Sequence, residues 1–354
     1  MEKKYKICIY AICKNEEKFI DRWFNSVKEA DKIYVLDTGS TDNSVNKLKK
    51  LGVVVKKQKI EPWRFDVARN KSLDLIPDDY DICVCTDLDE VFEKGWRKYL
   101  EDSWVGSTSR ARYNYNWSLD DNNRPLVNFY TDKIHQRKNY KWTHPVHEVL
   151  TFLGDKENII TIDNIVLNHY SDKSKSRGSY LPLLELSVKE DPNDDRNMHY
   201  LGREYMYYGK WNECIDTLIK HLNLKSSTWK DERCASMRFI ARSYKKLGRV
   251  EESKMWYDKA INEAPYLRDS YVERGILEYE LDNYKEASKY LNDALNINSH
   301  EKTYINEIFS WDNTIYDMLS ICMFYLNRID ESLFYIDKAI DMEPNNERLI
   351  NIKR

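Results

Sequence analysis

Short apolar runs alternate with amphipathic helical patterns through the first part of the chain. The apolar runs cover residues 6–12, 33–36, 53–55 and 82–86, and a segment with helical spacing lies between each run and the next. Continuous apolar runs of this length are typical of strands buried on both faces, and strands that alternate with helices usually pair in parallel. The sequence therefore predicts an open parallel sheet with helices on both faces.

Polar residues follow these strands at four predicted junctions with the neighbouring helices or turns. The four groups are Lys14-Asn15-Glu16, Asp37-Thr38-Gly39-Ser40, Arg69-Asn70 and Asp87-Leu88-Asp89-Glu90. Ligands of open α/β sheets bind at the carboxyl ends of the strands, so we expect a binding site where these groups meet. The glycine-rich fingerprints G-x-G-x-x-G and G-x-x-x-x-G-K-[ST] are absent from the sequence, which argues against a dinucleotide site or a P-loop.

The carboxylates after the fourth predicted strand have the spacing of a cation site. Side chains at positions i and i+2 of extended backbone point to the same side, so Asp87 and Asp89 can converge. Hard oxygen donors of this kind suit Mg²⁺ or Mn²⁺ together with phosphate oxygens. Glu90 points the other way and is assigned to the following turn. A polar turn with capping carboxylates is the alternative interpretation of this stretch.

Four blocks of the sequence resemble the family 2 glycosyltransferases with a GT-A fold. They are Ile12–Glu17, Val35–Asp42, Phe65–Asn70 and Thr86–Glu90, in that family's order, and the resemblance extends over roughly residues 5–170. It implies the inverting transfer of a sugar from a nucleotide sugar, usually a UDP-sugar.

The resemblance also implies roles for individual residues. Glu16 and Asp37 would contact the base and ribose of the nucleotide sugar. Arg69 and Asn70 would lie beside the nucleotide, and Asp87 would reach the ribose or the sugar. Lys14 is a further candidate for binding the nucleotide sugar. Asp89, with Asp87, would bind the Mn²⁺ or Mg²⁺ ion. This assignment agrees with the chemistry, because a cation and an arginine stabilise the negative charge that develops on a leaving diphosphate.

The segment from 105 to 137 has the pattern of an antiparallel hairpin. Residues 110–117 alternate between polar and apolar or aromatic side chains, residues 121–125 form a turn, and residues 126–137 run back. Alternation of this kind predicts strands with one face exposed to solvent.

Two later groups supply candidates for catalysis and metal binding. An inverting reaction needs a general base, for which Glu148 is the first candidate and His147 the second, although a structural hydrogen-bonding role for Glu148 is equally compatible with the sequence. His169 stands where GT-A enzymes often carry a histidine that completes the cation site. Lys175 and Arg177 are expected to cover the diphosphate from a mobile loop.

The second half of the chain resembles tetratricopeptide repeats. Four copies carry small or aromatic residues at matching offsets: Gly202, Tyr205, Cys214 and Leu218; Ala241, Tyr244, Ser253, Tyr257, Ala260 and Pro265; Gly275, Ala287, Leu291 and Ala294; and Ser320, Ser332, Ile336, Ala339 and Pro344. The spacing between the second and third copies matches the repeat length of about 34 residues. The other spacings require insertions near 224–231 and 299–312. Stacked repeats of this type form a groove that usually takes extended polypeptide.

These patterns predict a GT-A domain over residues 1–171, a linker helix over 172–193 and helical repeats over 194–354. The leading hypothesis is a metal-dependent glycosyltransferase whose repeats recruit a protein or peptide acceptor or mediate homodimerisation. This layout resembles bacterial enzymes that glycosylate flagellin or peptide bacteriocins. Two alternatives remain open, a transferase acting on a cell-envelope glycan and a non-catalytic repeat scaffold with a vestigial nucleotide-binding fold.

Charge and hydropathy limit the other partners. The 56 basic and 59 acidic residues give a net charge of −3, which argues against binding of nucleic acid or an anionic membrane surface. No apolar run approaches the roughly 18 residues of a membrane-spanning helix, so we expect no integral membrane segment. Seven cysteines without zinc-site spacing favour reduced thiols and a cytoplasmic location.

Overall fold

The computed structural model describes residues 4–172, 178, 180–300 and 303–353. It consists of two compact units, Met1–Ser187 and Val188–Arg354. The first unit is an α/β domain and the second is helical, which confirms the predicted fold class.

The first unit is built on an eight-stranded sheet with the order β3-β2-β1-β4-β7-β6-β10-β5. Its strands are β1 (Ile7–Cys13), β2 (Lys32–Asp37), β3 (Val54–Lys57), β4 (Ile82–Cys85), β5 (Glu90–Phe92), β6 (Arg110–Leu119), β7 (Pro125–Gln136) and β10 (Ile159–His169), while β8 (Tyr140–Thr143) and β9 (Val149–Phe152) form a separate antiparallel pair. Strand β1 pairs in parallel with β2 and β4, and β2 pairs in parallel with β3. The predicted parallel sheet is therefore confirmed.

Helices cover both faces of this sheet, as predicted. They are α1 (Ile20–Val27), α2 (Ser44–Lys50), α3 (Phe65–Leu73) and α4 (Trp96–Ser103), and a further helix, α5 (Tyr180–Glu190), begins near the end of this unit. Alternate residues of β1 enter two different cores, since Ile9 packs in the core that contains Trp23 of α1, and Tyr10 packs in the core that contains Leu73 of α3. Burial on both faces explains the continuous apolar sequence of this strand.

The predicted hairpin extends the parallel strands into a mixed sheet. Strands β6 and β7 pair in antiparallel fashion, and β7 joins the hairpin to β4, with Val84 opposite Ile134. Strand β10 then pairs in parallel with β6 and in antiparallel fashion with β5. The hairpin strands therefore lie directly beside the carboxylates that follow β4.

Among its described residues, the second unit contains four helix pairs and a final helix, in the positions predicted from the repeats. The helices are α6 (Asp195–Tyr207), α7 (Trp211–Asn223), α8 (Lys230–Lys246), α9 (Val250–Glu263), α10 (Arg268–Glu280), α11 (Tyr284–Leu295), α12 (Thr314–Tyr325), α13 (Ile329–Met342) and α14 (Glu347–Lys353). Close packing explains the glycine of the first copy, because a Cβ atom on Gly202 would lie 2.3 Å from Cδ2 of Leu218.

One connection between the helix pairs is much longer than the others. Residues 296–313 join α11 to α12, whereas residues 224–229 and 264–267 join the earlier pairs. The described part of this connection includes a 3₁₀ turn, Ile308–Ser310. The insertion predicted near 299–312 is confirmed.

Neither membrane helices nor disulfides are found in the described parts of the chain. None of the helices there combines the length and the apolar character that crossing a bilayer requires. All seven cysteines are buried as free thiols.

Candidate active site

The ends of β1 and β2 are tied together by their own polar side chains. The Asn15 side-chain oxygen accepts a 2.7 Å hydrogen bond from the Thr41 backbone, and Ser44 Oγ accepts a 2.8 Å bond from the Glu16 backbone. Asp37, almost fully buried at the end of β2, accepts bonds from two successive backbone amides in the turn that follows. Glu16 is buried beside this turn, and Lys14 is exposed. The first two predicted junctions therefore form one continuous wall.

Arg69 joins the third and fourth junctions. This residue of α3 is almost fully buried, and its Nη2 lies 2.7 Å from Oδ1 of Asp87. Its Nε donates a 2.9 Å hydrogen bond to Oε1 of Glu148, and its guanidinium lies over the Trp142 ring. The arginine thus connects the carboxylates after β4 with the first candidate for the general base.

Asn70 fixes the strand that leads to this base. Its side-chain nitrogen donates to the Trp142 carbonyl at 2.8 Å, and its side-chain oxygen accepts from the Trp142 backbone amide at 2.9 Å. These two bonds attach α3 to β8. In the described contacts, Asn70 positions the residues before Glu148.

Two cations surround the Asp87 carboxylate. In addition to Arg69, Nζ of Lys133 lies 3.7 Å from Oδ2 of Asp87 and 3.0 Å from Oε1 of Glu90. Burial alone would raise the pKa of Asp87, but the charges of Arg69 and Lys133 outweigh it and hold this pKa well below its ordinary value. Asp87 is therefore ionised throughout the physiological pH range.

Glu90 holds the turn that carries both aspartates. Its buried carboxylate accepts the Asp87 backbone N–H at 2.8 Å and the Tyr115 hydroxyl at 2.8 Å. Glu90 itself is the first residue of β5, so it lies at the end of this turn and not in a following one. Because the partners of Glu90 come from the end of β4 and from β6 and β7, the turn is fixed by the sheet around it.

Asp89 and His169 face one another across the end of β10. His169 Nε2 lies 3.6 Å from Oδ2 of Asp89, and Nδ1 lies 2.9 Å from the Trp117 carbonyl, to which it must donate because a carbonyl only accepts. Burial opposes protonation of His169, yet the nearby Asp89 carboxylate raises the pKa of the imidazole above its ordinary value.

This pair could supply two ligands to a divalent cation. A metal-ligating histidine usually donates its second ring N–H to a carbonyl or carboxylate, as His169 does to Trp117. A set that mixes one carboxylate and one imidazole suits Mn²⁺ better than Mg²⁺, which prefers oxygen ligands.

The block that contains His147 and Glu148 has unusual backbone geometry. His144 and His147 adopt φ angles of 72° and 50°, which non-glycine residues rarely do. The Pro145 carbonyl accepts a 3.0 Å hydrogen bond from the Phe65 backbone at the start of α3, and the His147 ring packs against Tyr180 of α5. The block is therefore fixed against α3, and Glu148 lies next to Arg69.

Lys133 and Tyr115 are site residues that the sequence patterns did not indicate. Lys133 reaches the site because β7 pairs with β4, and continuing that register by one residue places it opposite Cys85. The alternation of the hairpin placed Tyr115 on the same face as Tyr113, but it did not show which face lies toward the site. Lys175 and Arg177, expected to cover the diphosphate, lie outside the described residues.

The family comparison decides the nature of the first unit. A family model described as glycosyl transferase family 2 matches residues 8–153. Residues 8–153 form a family 2 glycosyl transferase domain. This glycosyl transferase domain contains Asp37, Arg69, Asp87, Asp89 and Glu148, while His169 follows its end.

The second unit carries tetratricopeptide repeats. The model of that repeat matches residues 239–266 and 269–301. Two similar solved structures are the MamA protein, with 16% identity over 48% of this chain and 85% of that one and a TM-score of 0.38, and a thermophilic TPR protein of Thermus thermophilus, with 19% identity over 49% of this chain and 86% of that one and a TM-score of 0.34. A comparison with curated protein sequences finds no match.

Proposed function

We propose that the protein is a metal-dependent, inverting glycosyltransferase that moves a sugar from a UDP-sugar to a serine, threonine or cysteine side chain of a protein or peptide. The observation that carries the proposal is the position of Arg69, which contacts both Asp87 and Glu148. This contact brings a donor-side carboxylate and a candidate base to the same place in a family 2 domain.

The donor is held by side chains at the carboxyl ends of β1, β2 and β4. Glu16 and Asp37 offer carboxylates to the nucleoside, while Arg69 and Lys133 provide positive charge beside Asp87. Asp89 and His169 would hold the Mn²⁺ ion, which supplies further positive charge to the diphosphate. Fixed charges placed where negative charge develops favour the transition state over the ground state.

Glu148 serves as the general base. Its carboxylate takes the proton from the acceptor hydroxyl or thiol while that oxygen or sulfur attacks the anomeric carbon opposite the leaving diphosphate, so the configuration inverts. The bond between the anomeric carbon and the diphosphate oxygen breaks, and the diphosphate leaves with the bonding electrons. Arg69 orients Glu148 through the hydrogen bond to Oε1.

The repeat unit recruits the acceptor. Tetratricopeptide repeats over residues 239–301 support a polypeptide partner, because stacked helix pairs present extended binding surfaces. We place the reaction in the cytoplasm, where the seven free thiols would stay reduced.

Donor hydrolysis tests the proposal without knowledge of the acceptor. The full chain is incubated with UDP-glucose, UDP-galactose, UDP-N-acetylglucosamine or UDP-N-acetylgalactosamine and Mn²⁺, and UDP release is measured. We expect Mn²⁺-dependent hydrolysis of at least one donor, lost in Asp89→Asn and retained in Asp121→Asn, which changes an exposed turn of the hairpin. Full, Mn²⁺-dependent activity of Asp89→Asn would remove Asp89 from the metal site, and no hydrolysis of any of these donors would argue against the enzyme.

A further inference from the structure

Part of the connection between the third and fourth helix pairs folds back over the earlier repeats. We call residues 303–311 the inter-repeat segment. They follow α11 in the chain, yet they contact α6, α8 and α10, which are the first helices of three successive pairs. This segment therefore lies along the face that the first helices share.

The beginning of the inter-repeat segment is anchored by an aromatic and an aliphatic side chain. The Tyr304 hydroxyl donates to the Glu232 carboxylate, and the Tyr304 ring lies 5.9 Å from the ring of Tyr200 in α6. Ile305 is only 3% exposed and packs with Phe239 of α8. These two side chains fill an apolar site between the first two helix pairs.

The middle of the segment is held through its backbone and one carboxylate. Arg238 donates to the Ile305 carbonyl, and Asp269 accepts the Glu307 backbone N–H at 2.6 Å. Arg242 forms an ion pair with the Glu307 carboxylate. Glu307 has extended backbone angles, with φ −104° and ψ 132°.

The end of the segment rests on Arg268. Its guanidinium lies 3.8 Å from the centre of the Trp311 ring, and it also donates to the Ser310 carbonyl at 3.3 Å. Stacking of a guanidinium on an indole is a favourable cation–π contact. The segment is therefore held along its whole length by successive helix pairs.

These contacts are of the kind that hold a bound peptide. Arginines donate to backbone carbonyls, an aspartate accepts a backbone N–H, and neighbouring helices contact the side chains. Nothing in the backbone contacts depends on this particular sequence. The side-chain contacts select an aromatic residue, an aliphatic residue and, two positions later, a carboxylate.

We propose that the inter-repeat segment occupies the peptide-docking face of the repeat unit as an exchangeable internal ligand. The acceptor polypeptide takes its place with a segment of similar chemistry, an aromatic–aliphatic–polar–acidic sequence like Tyr304-Ile305-Asn306-Glu307. The polypeptide nature of this ligand rests on the proposed function. Because the segment is tethered, it competes at an effective concentration that reaches about the millimolar range, so only a well-matched peptide displaces it.

The experiment supplies the segment as a separate molecule. A fluorescein-labelled peptide with the sequence of residues 303–311 is titrated with the full-length protein, and anisotropy is measured. Glu307→Lys breaks the ion pair with Arg242 and loosens the internal segment, so we expect this variant to bind the peptide about tenfold more tightly than the wild type. Adding Arg242→Ala removes a partner of the peptide's own glutamate and should reverse the gain.

Two further variants keep the result interpretable. Ile308→Lys changes an exposed position of the same segment and should bind the peptide as the wild type does. Tyr304→Phe removes the hydrogen bond to Glu232 but keeps the ring, so it should loosen the internal segment less than Glu307→Lys does. Equal, weak binding by the wild type, Glu307→Lys and Tyr304→Phe, with unchanged helical circular dichroism, would show that the segment is a permanent part of the fold and overturn the proposal.

The same variants separate this proposal from the proposed enzyme activity. Release of UDP from a UDP-sugar depends on the first unit and should be unchanged in Glu307→Lys. Loss of UDP release in every form of the protein would defeat the proposed reaction and leave the peptide-binding result standing. Peptide binding that fails while UDP release persists would defeat only the docking proposal.

Discussion

The Nε atom of Arg69 donates a 2.9 Å hydrogen bond to Oε1 of Glu148. Arg69 precedes the β6–β7 hairpin in the sequence, and Glu148 follows it. The same guanidinium reaches Asp87 at 2.7 Å. Two carboxylates with different proposed tasks, donor contact and proton removal, therefore share one planar cation. The planar group can meet both at once, which a lysine ammonium cannot do with the same geometry.

Replacing Arg69 with lysine should reduce catalysis more than it reduces folding stability. The positive charge stays, but one of the two carboxylate contacts is lost, and we expect kcat/KM for donor hydrolysis to fall by about 100-fold, or roughly 2.7 kcal/mol. Arg64→Lys is the matched control, because Arg64 pairs with Asp66 at the start of the same helix. Equal activity of the two variants would contradict the role of Arg69.

Replacing His169 with alanine should weaken metal binding. The variant removes an imidazole that faces Asp89 at 3.6 Å, so we expect the Mn²⁺ concentration for half-maximal donor hydrolysis to rise at least about tenfold. His144→Ala, in the block before Glu148, should leave this concentration near the wild-type value. A His169→Ala variant with the wild-type Mn²⁺ requirement would remove the histidine from the site.

His135 should make the first unit less stable in acid. Its ring is fully buried between the Tyr10 hydroxyl and the Gln136 carbonyl, near Tyr140, Arg110 and Arg137. Burial lowers the pKa of His135 to about 3, from 6.5. A depressed pKa in the folded state means that the stabilising contribution is complete above pH 6.5 and is lost as the pH falls toward 3.

The measurement is urea unfolding of the wild type and His135→Gln at several pH values from about 7 to about 4. The free energy of unfolding should fall more steeply in the wild type, by up to about 1.4 kcal/mol per pH unit. His144→Gln should follow the wild-type slope. Parallel curves for the wild type and His135→Gln would show that His135 does not carry this acid sensitivity.

Replacing Gly202 with alanine should destabilise the repeat unit. The new Cβ would overlap Leu218, with Cγ and Cδ2 at 2.4 and 2.3 Å, so either the Leu218 side chain or one helix of the first pair must shift. We expect a loss of about 1–3 kcal/mol in the free energy of unfolding. The double variant Gly202→Ala/Leu218→Ala should cost less than the sum of the two single changes, because each relieves the other. Additive costs would rule out a direct clash.

The sequence predicted which residues lie on the nucleotide-sugar side of the site, because a parallel sheet brings the carboxyl ends of its strands to the same edge. Asp37 is the last residue of β2, Asp87 and Asp89 follow β4, and both strands pair in a continuous parallel set through β1. Because these strands are buried on both faces, their sequences are continuous apolar runs that predict strands. The repeats could be predicted because small residues recur at the positions where helices pack closely. These features depend on local pattern.

Other parts of the site depend on pairings between distant segments. Lys133 lies beside Asp87 only because β7 pairs with β4 in one particular register, and no local pattern states the partner of a strand. Asn70 bonds to the Trp142 backbone for a similar reason, since β8 packs against α3. The path of residues 303–311 follows from individual contacts with α6, α8 and α10, and the segment shows no helical or strand periodicity.

The return of the inter-repeat segment also affects how the repeat unit unfolds. In an ordinary array each helix pair touches only its neighbours, so the ends can fray while the middle stays folded. Here Tyr304, which follows the third pair, reaches Tyr200 in the first. We therefore expect the first three pairs to unfold as one cooperative unit. We also expect them to fold more slowly than an array without this segment, because contacts between residues so far apart in sequence form late.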